Sequence, residues 1–382
     1  MQKLSFLFLG NTSFGGLSQR EHALATELAR RGFPVTYVEG MPSLASRVRE
    51  VSRRFLSPES IEQADLPNNL PPALNILTPP TVPTFFRSSY TPGFDALLFR
   101  RWFREISRTV DWRNTVVFVS FPYWWNGFVR RSDCPAKFIV YDVCDSLSMP
   151  SRNDRALSTM MKAEEKLIAE VDLITCSAFT LEEDLRARVS NVPVVLLPNA
   201  VSNEFLDGVH GRSRPAERKV IGYVGSLDPR WADRELLVQV AEAFPDCYLS
   251  VRASVSGSFK RRLKENRNVR LERFMGHIEL AGLLEEFDVC LIPFQKNHIT
   301  RVVNPLKLYE YCAAGKPSVA IRTEELRHYD HLLYLADSAD DFINHVRSAL
   351  TERDGEKRNR RIAFARENTW RHRVDTLLSR IP

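Results

Sequence analysis

Asn304-Pro305-Leu306-Lys307-Leu308-Tyr309-Glu310-Tyr311-Cys312-Ala313-Ala314-Gly315-Lys316-Pro317 combines a helix start, two opposite charges in the first turns and a Gly-Lys-Pro stop ahead of a strand. Asn304 is a good N-cap residue and Pro305 suits the first helical position. Open backbone N–H groups and the positive end of the helix dipole are therefore expected beside Lys307. Such an arrangement suits a diphosphate. Glu310, nearly a turn further on, is an acceptor-only carboxylate able to take both hydroxyls of a ribose, as acidic residues do in dinucleotide sites. Gly315 ends the helix, and Pro317-Ser318-Val319-Ala320-Ile321 supplies the next buried strand. The same charges also fit an ordinary i, i+3 surface ion pair on a helix whose Leu306, Tyr309 and Ala313 pack inward.

A helix set between strands belongs to an α/β chain, and the rest of the sequence has that form. Its 382 residues, 44% hydrophobic and 26% charged, suffice for two domains with separate cores. Apolar strand-like runs alternate with amphipathic stretches in both halves, the pattern of parallel sheets flanked by helices. Strands are expected at Leu4–Leu9, Val35–Val38, Val116–Ser120, Phe138–Tyr141, Leu173–Cys176 and Val194–Leu197. In the second half they are expected at Val220–Gly225, Cys247–Val251, Val269–Phe274, Val289–Pro293, Ser318–Ile321 and Leu332–Leu335. Helices are expected at Leu17–Arg31 and Ala156–Ala169, and a final charged helical region at Asp340–Arg380. Between Pro42 and Pro92 the pattern dissolves into Pro- and Arg-rich sequence, read as a surface excursion contacting an acceptor or a membrane. The domains are expected at 1–206 and 219–365, joined by a polar linker at 207–218, with a C-terminal helix at 366–382 that crosses back to the N-terminal domain.

The net charge of +6 favours anionic partners such as nucleotide diphosphates or anionic lipid surfaces. It is modest for a dedicated nucleic-acid binder, and no aromatic RNA-binding signature accompanies it, so nucleic acid is not expected as a partner. Six scattered cysteines without Cys-x-x-Cys spacing are expected to be reduced core residues of a cytoplasmic protein. The apolar run Leu4–Leu9 is too short for a signal peptide, and no run of about 18 apolar residues offers a membrane span.

Several turns have the residue types that ligand chemistry needs. Gly10-Asn11-Thr12-Ser13-Phe14-Gly15-Gly16 joins strand one to helix one, where glycines let backbone amides approach an anion; it serves equally as a plain tight turn. Gln19 and Arg20 follow it, facing either a cleft or solvent. Gly225-Ser226 repeats the theme in the second half, with Arg230, Trp231, Asp233 and Arg234 close behind, a combination able to hold a β-phosphate. Asp142 and Asp145 follow a buried strand at its carboxyl end, where open α/β sheets place ligands. Either can take a proton from a hydroxyl or bind one without chemistry, and either also fits a strand-end Asx-turn. Phe121-Pro122-Tyr123-Trp124-Trp125 offers a sugar-stacking platform or, more simply, a core wedge. The eight histidines form no metal-ligand constellation, and no Gly-x-Ser-x-Gly or Walker lysine loop supports a hydrolase or a kinase.

Taken in order, four stretches resemble the two-domain, B-type nucleotide-sugar glycosyltransferases, in particular the bacterial glycosyltransferase family four, also called group 1. They are Gly15-Gly16 with Leu24–Gly32, Ser177–Leu185 leading to Leu197-Pro198-Asn199-Ala200-Val201, Gly222-Tyr223-Val224-Gly225-Ser226, and Pro293-Phe294 leading to Pro305–Pro317. The resemblance implies two Rossmann-like domains facing a central cleft that a hinge at the linker closes over the donor. By position it implies that Glu310 binds the ribose, that Lys307, Gly225, Ser226 and Arg230 or Arg234 hold the diphosphate, and that Gly15 and Gly16 approach from across the cleft. It implies sugar transfer to a glycan or lipid-linked acceptor in surface polysaccharide synthesis, at the cytoplasmic face of a membrane touched peripherally, with no cofactor and no essential metal. Retention is favoured over inversion; inversion would need Asp142 or Asp145 as base. One departure matters. Family members carry two glutamates eight positions apart here, and the first position is Val302. Asn304, Thr300 or backbone amides of Gln295–Val303 are the groups available instead. The nucleotide-sugar 2-epimerases share the architecture, and Val302 also motivates a non-catalytic glycan-binding or partner subunit.

Overall fold

The structure is a computed structural model that describes residues 4–14, 19–40, 70–80, 93–147, 154–209, 218–253, 255, 257–272 and 277–382. It divides into two compact units. The first comprises Met1–Ser177, Leu181–Leu197 and Thr376–Pro382; the second comprises Ala178–Thr180 and Pro198–Asp375. Of the expected linker at 207–218, residues 210–217 lie outside the described residues.

The first unit is built on strands β1 (Ser5–Leu9), β2 (Val35–Val38), β3 (Leu74–Leu77), β4 (Thr115–Val119), β5 (Phe138–Val143), β6 (Leu173–Cys176) and β7 (Val194–Leu196). Their order across the sheet is β3-β2-β1-β4-β5-β6-β7, and every pairing is parallel. Leu7 at the centre lies between Thr36 and Val117. Parallel strands need crossover connections that cover both faces, which is why β1 and β4 are continuous apolar runs and why Phe6–Leu9 and Val116–Val119 are buried. Among the crossover helices are α1 (Arg20–Arg30), α2 (Gly93–Ser107), α3 (Asp154–Ile168) and α4 (Phe179–Arg188).

The stretch read as a patternless excursion from Pro42 to Pro92 needs correction, because β3 lies inside it and pairs with β2 from Val35↔Leu74 to Val38↔Leu77. Prolines flank β3 closely, and it ends the sheet order with only partly buried side chains, so the burial that shapes the inner strands is absent from its sequence. Residues 41–69 and 81–92 of this stretch lie outside the described residues.

The second unit repeats the plan with β8 (Val220–Val224), β9 (Tyr248–Arg252), β10 (Val269–Glu272), β11 (Val289–Ile292), β12 (Ser318–Ile321) and β13 (Tyr334–Ala336), in the order β10-β9-β8-β11-β12-β13. The last strand begins two positions after the expected start at Leu332, because Leu332 and Leu333 close a turn on Tyr329. The helices include α5 (Asn203–Gly208), α6 (Arg234–Ala243), α7 (Gly257–Lys264), α8 (His277–Leu284) and α9 (Leu306–Ala313). The terminal charged region consists of α10 (Ala339–Leu350), α11 (Gly355–Glu367) and α12 (Trp370–Leu378). Both sheets reverse direction of growth beside their first strand, between β1 and β4 and between β8 and β11. Ligands of doubly wound folds bind beyond the carboxyl ends of such strand pairs.

Candidate functional site

In the second unit the carboxyl ends of β8 and β11 open directly onto the residues singled out from the sequence. Gly225 follows β8 with φ of 130°, a conformation that only glycine adopts without strain. A Cβ at Gly225 would also stand 3.0 Å from the Lys307 ammonium. That ammonium lies 4.4 Å from the centre of the Tyr223 ring and 3.4 Å from its hydroxyl, which itself donates to the Ser226 carbonyl at 2.5 Å. Desolvation of the half-buried amine, partly opposed by the Glu310 carboxylate, brings Lys307 down to about 8. The amine is thus a weakly hydrated cation on an aromatic face, with no carboxylate bonded to it among the described residues. It lies in the first turn of α9, and Glu310 follows on the same helix.

The start of α9 differs from expectation. Pro305, with φ −79° and ψ 134°, is the N-cap, and Leu306 is the first helical residue. Asn304 lies outside the helix and is 3% exposed. Its carboxamide oxygen accepts from the Asn199 N–H at 3.1 Å and the Tyr309 hydroxyl at 3.0 Å. Its amide donates to Glu325 at 3.1 Å and to the Tyr329 hydroxyl at 2.7 Å. Two acceptor and two donor positions exhaust an asparagine side chain, so none remains for a ligand. Gly315 ends α9 with φ of 65°, as its position predicts.

Glu325 escaped the sequence reading. It is fully buried, accepts from the Thr180 N–H at 3.1 Å and hydroxyl at 3.0 Å, and is raised by desolvation against those hydrogen bonds. Nothing in Thr323-Glu324-Glu325 distinguishes the buried glutamate from its exposed neighbour Glu324. Tyr223 escaped too, since its link to Lys307 spans 84 residues.

The two arginines behind Gly225 are already engaged. Arg230 forms a two-pronged pair with Asp228, at 3.0 and 2.7 Å, and lies over the Trp231 ring. Its hydrogen bonds hold the half-buried Asp228 carboxyl below its usual range. Arg234 opens α6, donates from Nε to the Leu227 carbonyl at 2.6 Å and lies over Phe259. Ser226 is exposed.

The loop after β11 is fastened to this turn. Gln295 N–H donates to Trp231, Asp233 N–H to Pro293, and the Asn297 side chain to the Arg230 carbonyl at 2.8 Å. Within it Val302 is 1% exposed, so the place of the missing glutamate is an apolar packing position. Thr300 is fully buried and its hydroxyl donates to the Gln295 carbonyl. The N–H groups of Gln295, Asn297, Ile299, Thr300, Arg301 and Val303 are likewise bonded within the unit.

In the first unit the expected cleft cation and one expected base are partners. Arg20 Nε and Nη2 grip Asp142 at 2.9 and 3.0 Å, with the two side chains 4% and 1% exposed. Asp142 also accepts from the Thr175 hydroxyl at 2.6 Å. Burial lowers the Arg20 affinity for its proton, but Asp142 outweighs it and the net direction is upward. Asp145, beyond the end of β5, is exposed. Desolvation by the surrounding protein pushes its carboxyl up.

The turn after β1 is filled by carboxylates. Glu21 accepts from the Asn11 and Thr12 N–H groups at 3.0 and 2.9 Å, from the Thr12 hydroxyl and from Tyr37. Glu39 accepts from Phe14 N–H at 2.8 Å. These amides face protein carboxylates, where the sequence suggested they face an anionic ligand. Gly15 and Gly16 lie outside the described residues. Tyr123, Trp124 and Trp125 are buried, and the Tyr123 hydroxyl and Trp124 ring N–H both donate to the Gly10 carbonyl. These three form the core wedge, with Phe121 half-buried beside them. Among the described residues no three His, Cys, Asp or Glu side chains gather at metal-binding distance, and no helix is long and apolar enough to cross a membrane.

This geometry has recognisable relatives. Residues 218–352 match the family model described as Glycosyl transferases group 1. A Bacillus subtilis (strain 168) protein named for teichuronic acid biosynthesis, the glycosyltransferase TuaH, is 28% identical over 202 residues, 47% of this chain and 49% of that protein. The chain thus matches about half the length of that relative. Sucrose-phosphate synthase from Thermosynechococcus elongatus superposes with a TM-score of 0.71 at 15% identity, covering 99% of this chain and 98% of that one. Anabaena Alr3699/HepE, solved in complex with UDP and glucose, superposes with a TM-score of 0.66 at 13% identity, covering 98% and 99%. The chain therefore has a GT-B-like glycosyltransferase fold. Within that class it is related to the glycosyltransferases of group 1.

Proposed function

We propose that this chain moves a sugar from a nucleoside-diphosphate sugar to a hydroxyl of a glycan or lipid-linked acceptor, in bacterial surface polysaccharide synthesis at the cytoplasmic face of the membrane. One observation carries the reading: the Lys307 ammonium, held on the Tyr223 ring beside Gly225, at the carboxyl ends of β8 and β11. In this reading the diphosphate rests against the Gly225 turn and the start of α9, Lys307 meets its charge, and Glu310 takes the ribose hydroxyls. The bond from the anomeric carbon to the phosphate oxygen breaks, the acceptor oxygen bonds that carbon, and the diphosphate leaves with its negative charge met by Lys307. Arg230 and Arg234 support the turn from behind. Asp142 is tied to Arg20, so if the reaction inverts, Asp145 is the base. If it retains, the departing phosphate takes the acceptor proton and Asp145 positions the acceptor.

UDP is the first nucleotide to try, because the Anabaena structure holds it. Calorimetric titration with UDP, GDP, dTDP and their monophosphates, repeated on Glu310→Ala, tests the reading. Preference for one diphosphate, weakened by the substitution, is expected; no binding of any nucleotide sinks it.

Buried Val302 favours a second reading, a partner subunit that binds donor or glycan without turnover. Release of diphosphate from the bound donor, with or without acceptor, separates the two.

A further inference from the structure

The first unit carries a cationic hollow that the transfer reading leaves without a role. It measures about 240 Å³ and lies between α2, the loop after β4 and the end of α3, lined by Arg100, Trp125, Arg130, Lys166 and Glu170. Glu170 accepts from the Trp125 ring N–H at 2.8 Å, so the one carboxylate is held by the wall. Among the described residues Arg100, Arg130 and Lys166 have no ion-pair partner, and Arg100 Nε is buried with no hydrogen bond at all. Three cations against one carboxylate leave the hollow positive, and an anion seated there would offset that charge.

The helix that brings Arg100 also says what kind of anion. On α2, Leu97, Arg101 and Arg104 recur at i, i+4 and i+7, so they share one exposed stripe beside Arg100. Leu97 is 63% exposed, the most exposed large apolar side chain among the described residues. Arg101 and Arg104 are exposed, and neither has an ion-pair partner among the described residues. A soluble phosphate has no use for the leucine. A lipid headgroup at a membrane surface uses both, with phosphate on the arginines and the apolar side chain at the acyl boundary.

We propose that this face, Leu97, Arg101 and Arg104 around the Arg100–Arg130–Lys166 hollow, docks the protein on anionic phospholipid. The surface stands independently of the donor reading, which concerns the second unit.

Flotation of the full chain with vesicles of phosphatidylcholine alone or mixed with phosphatidylglycerol tests it. The chain is expected to float only with the anionic vesicles and to be released by raised salt. Arg101→Glu with Arg104→Glu should weaken partitioning about 30-fold or more, since each basic residue near such a surface contributes about 1 kcal/mol. Arg100→Ala and Leu97→Ser should weaken it less. Arg360→Glu with Arg366→Glu, an equal charge change on exposed residues of α11, should leave it as in the unsubstituted chain. Circular dichroism and nucleotide titration on each variant report folding and the donor site separately. Failure of the unsubstituted chain to float, or an equal loss in the α11 variant, overturns the proposal.

Discussion

Asn199 and Asn304, 105 residues apart, bind each other twice: the Asn199 N–H donates to the Asn304 side chain at 3.1 Å, and the Asn199 side chain donates to the Asn304 carbonyl at 2.6 Å. The stretch after β7 and the stretch before α9 are thereby fixed to one another. Asn304→Ala would leave the Asn199 N–H, the Tyr309 and Tyr329 hydroxyls and Glu325 short of a partner. We expect a loss of about 3 kcal/mol in chemical denaturation. Because the carboxamide has no group left for a ligand, the folded variant should bind diphosphate within about threefold of the unsubstituted chain.

Lys307→Met removes the cation but keeps an apolar stem on the Tyr223 ring. Calorimetry should show diphosphate affinity lowered by about 10- to 100-fold, the worth of a charge-assisted hydrogen bond. Thermal stability should stay level or rise, since a desolvated charge has gone. A folded variant that binds diphosphate as tightly as the unsubstituted chain would contradict the assignment.

Lys307 also sets a pH dependence. With its folded value lowered to about 8, the amine is cationic at neutral pH and neutral above that value. Diphosphate affinity should therefore fall as pH rises through 8, and this fall should vanish in Lys307→Met. Stability runs the other way. Between the folded value and the ordinary lysine value of 10.5 the unfolded chain binds more protons, so this residue makes folding more favourable as pH rises across that window.

Gly225→Ala places a Cβ against the Lys307 ammonium and strains the backbone at φ of 130°. A cost of about 1–3 kcal/mol is expected, together with weaker diphosphate binding. A variant that binds as tightly as the unsubstituted chain would mean that Lys307 and the Gly225 turn do not act together.

Arg20 and Asp142 predict a contrast between two aspartates. Asp142→Asn removes the buried carboxylate that Arg20 grips and should cost about 3–5 kcal/mol. Asp145→Asn should leave stability nearly unchanged and lower turnover. Normal turnover in folded Asp145→Asn would remove it from service as base.

Most of the sheet framework is legible in the sequence because the inner strands are buried on both faces and appear as unbroken apolar runs, Phe6–Leu9 and Val116–Val119 among them. Leu74–Leu77 was illegible for the opposite reason: an edge position asks little of its side chains. Of the candidate site, Lys307, Glu310 and Gly225 could be picked out because helix starts and glycine turns have local signatures. What each residue touches could not. Arg20 and Asp142 were separately plausible, and only a fold that brings residues 122 apart together turns them into a pair. Asn304 has the residue type of a cap, yet the same two donors and two acceptors serve equally to bridge Asn199, Tyr309, Glu325 and Tyr329. Local rules cannot rank those uses.

The two units do not correspond to two uninterrupted lengths of chain: Ala178–Thr180 belongs with the second, and Thr376–Pro382 with the first. During synthesis, the amino-terminal unit stays unfinished until Thr376–Pro382 have left the ribosome, long after its sheet has been translated. Truncation after Asp375 should accordingly loosen the amino-terminal sheet, read as faster amide exchange in β1 and β4, before it affects strands β8 and β11. Vectorial folding, one half and then the other, is not open to this chain in its simplest form.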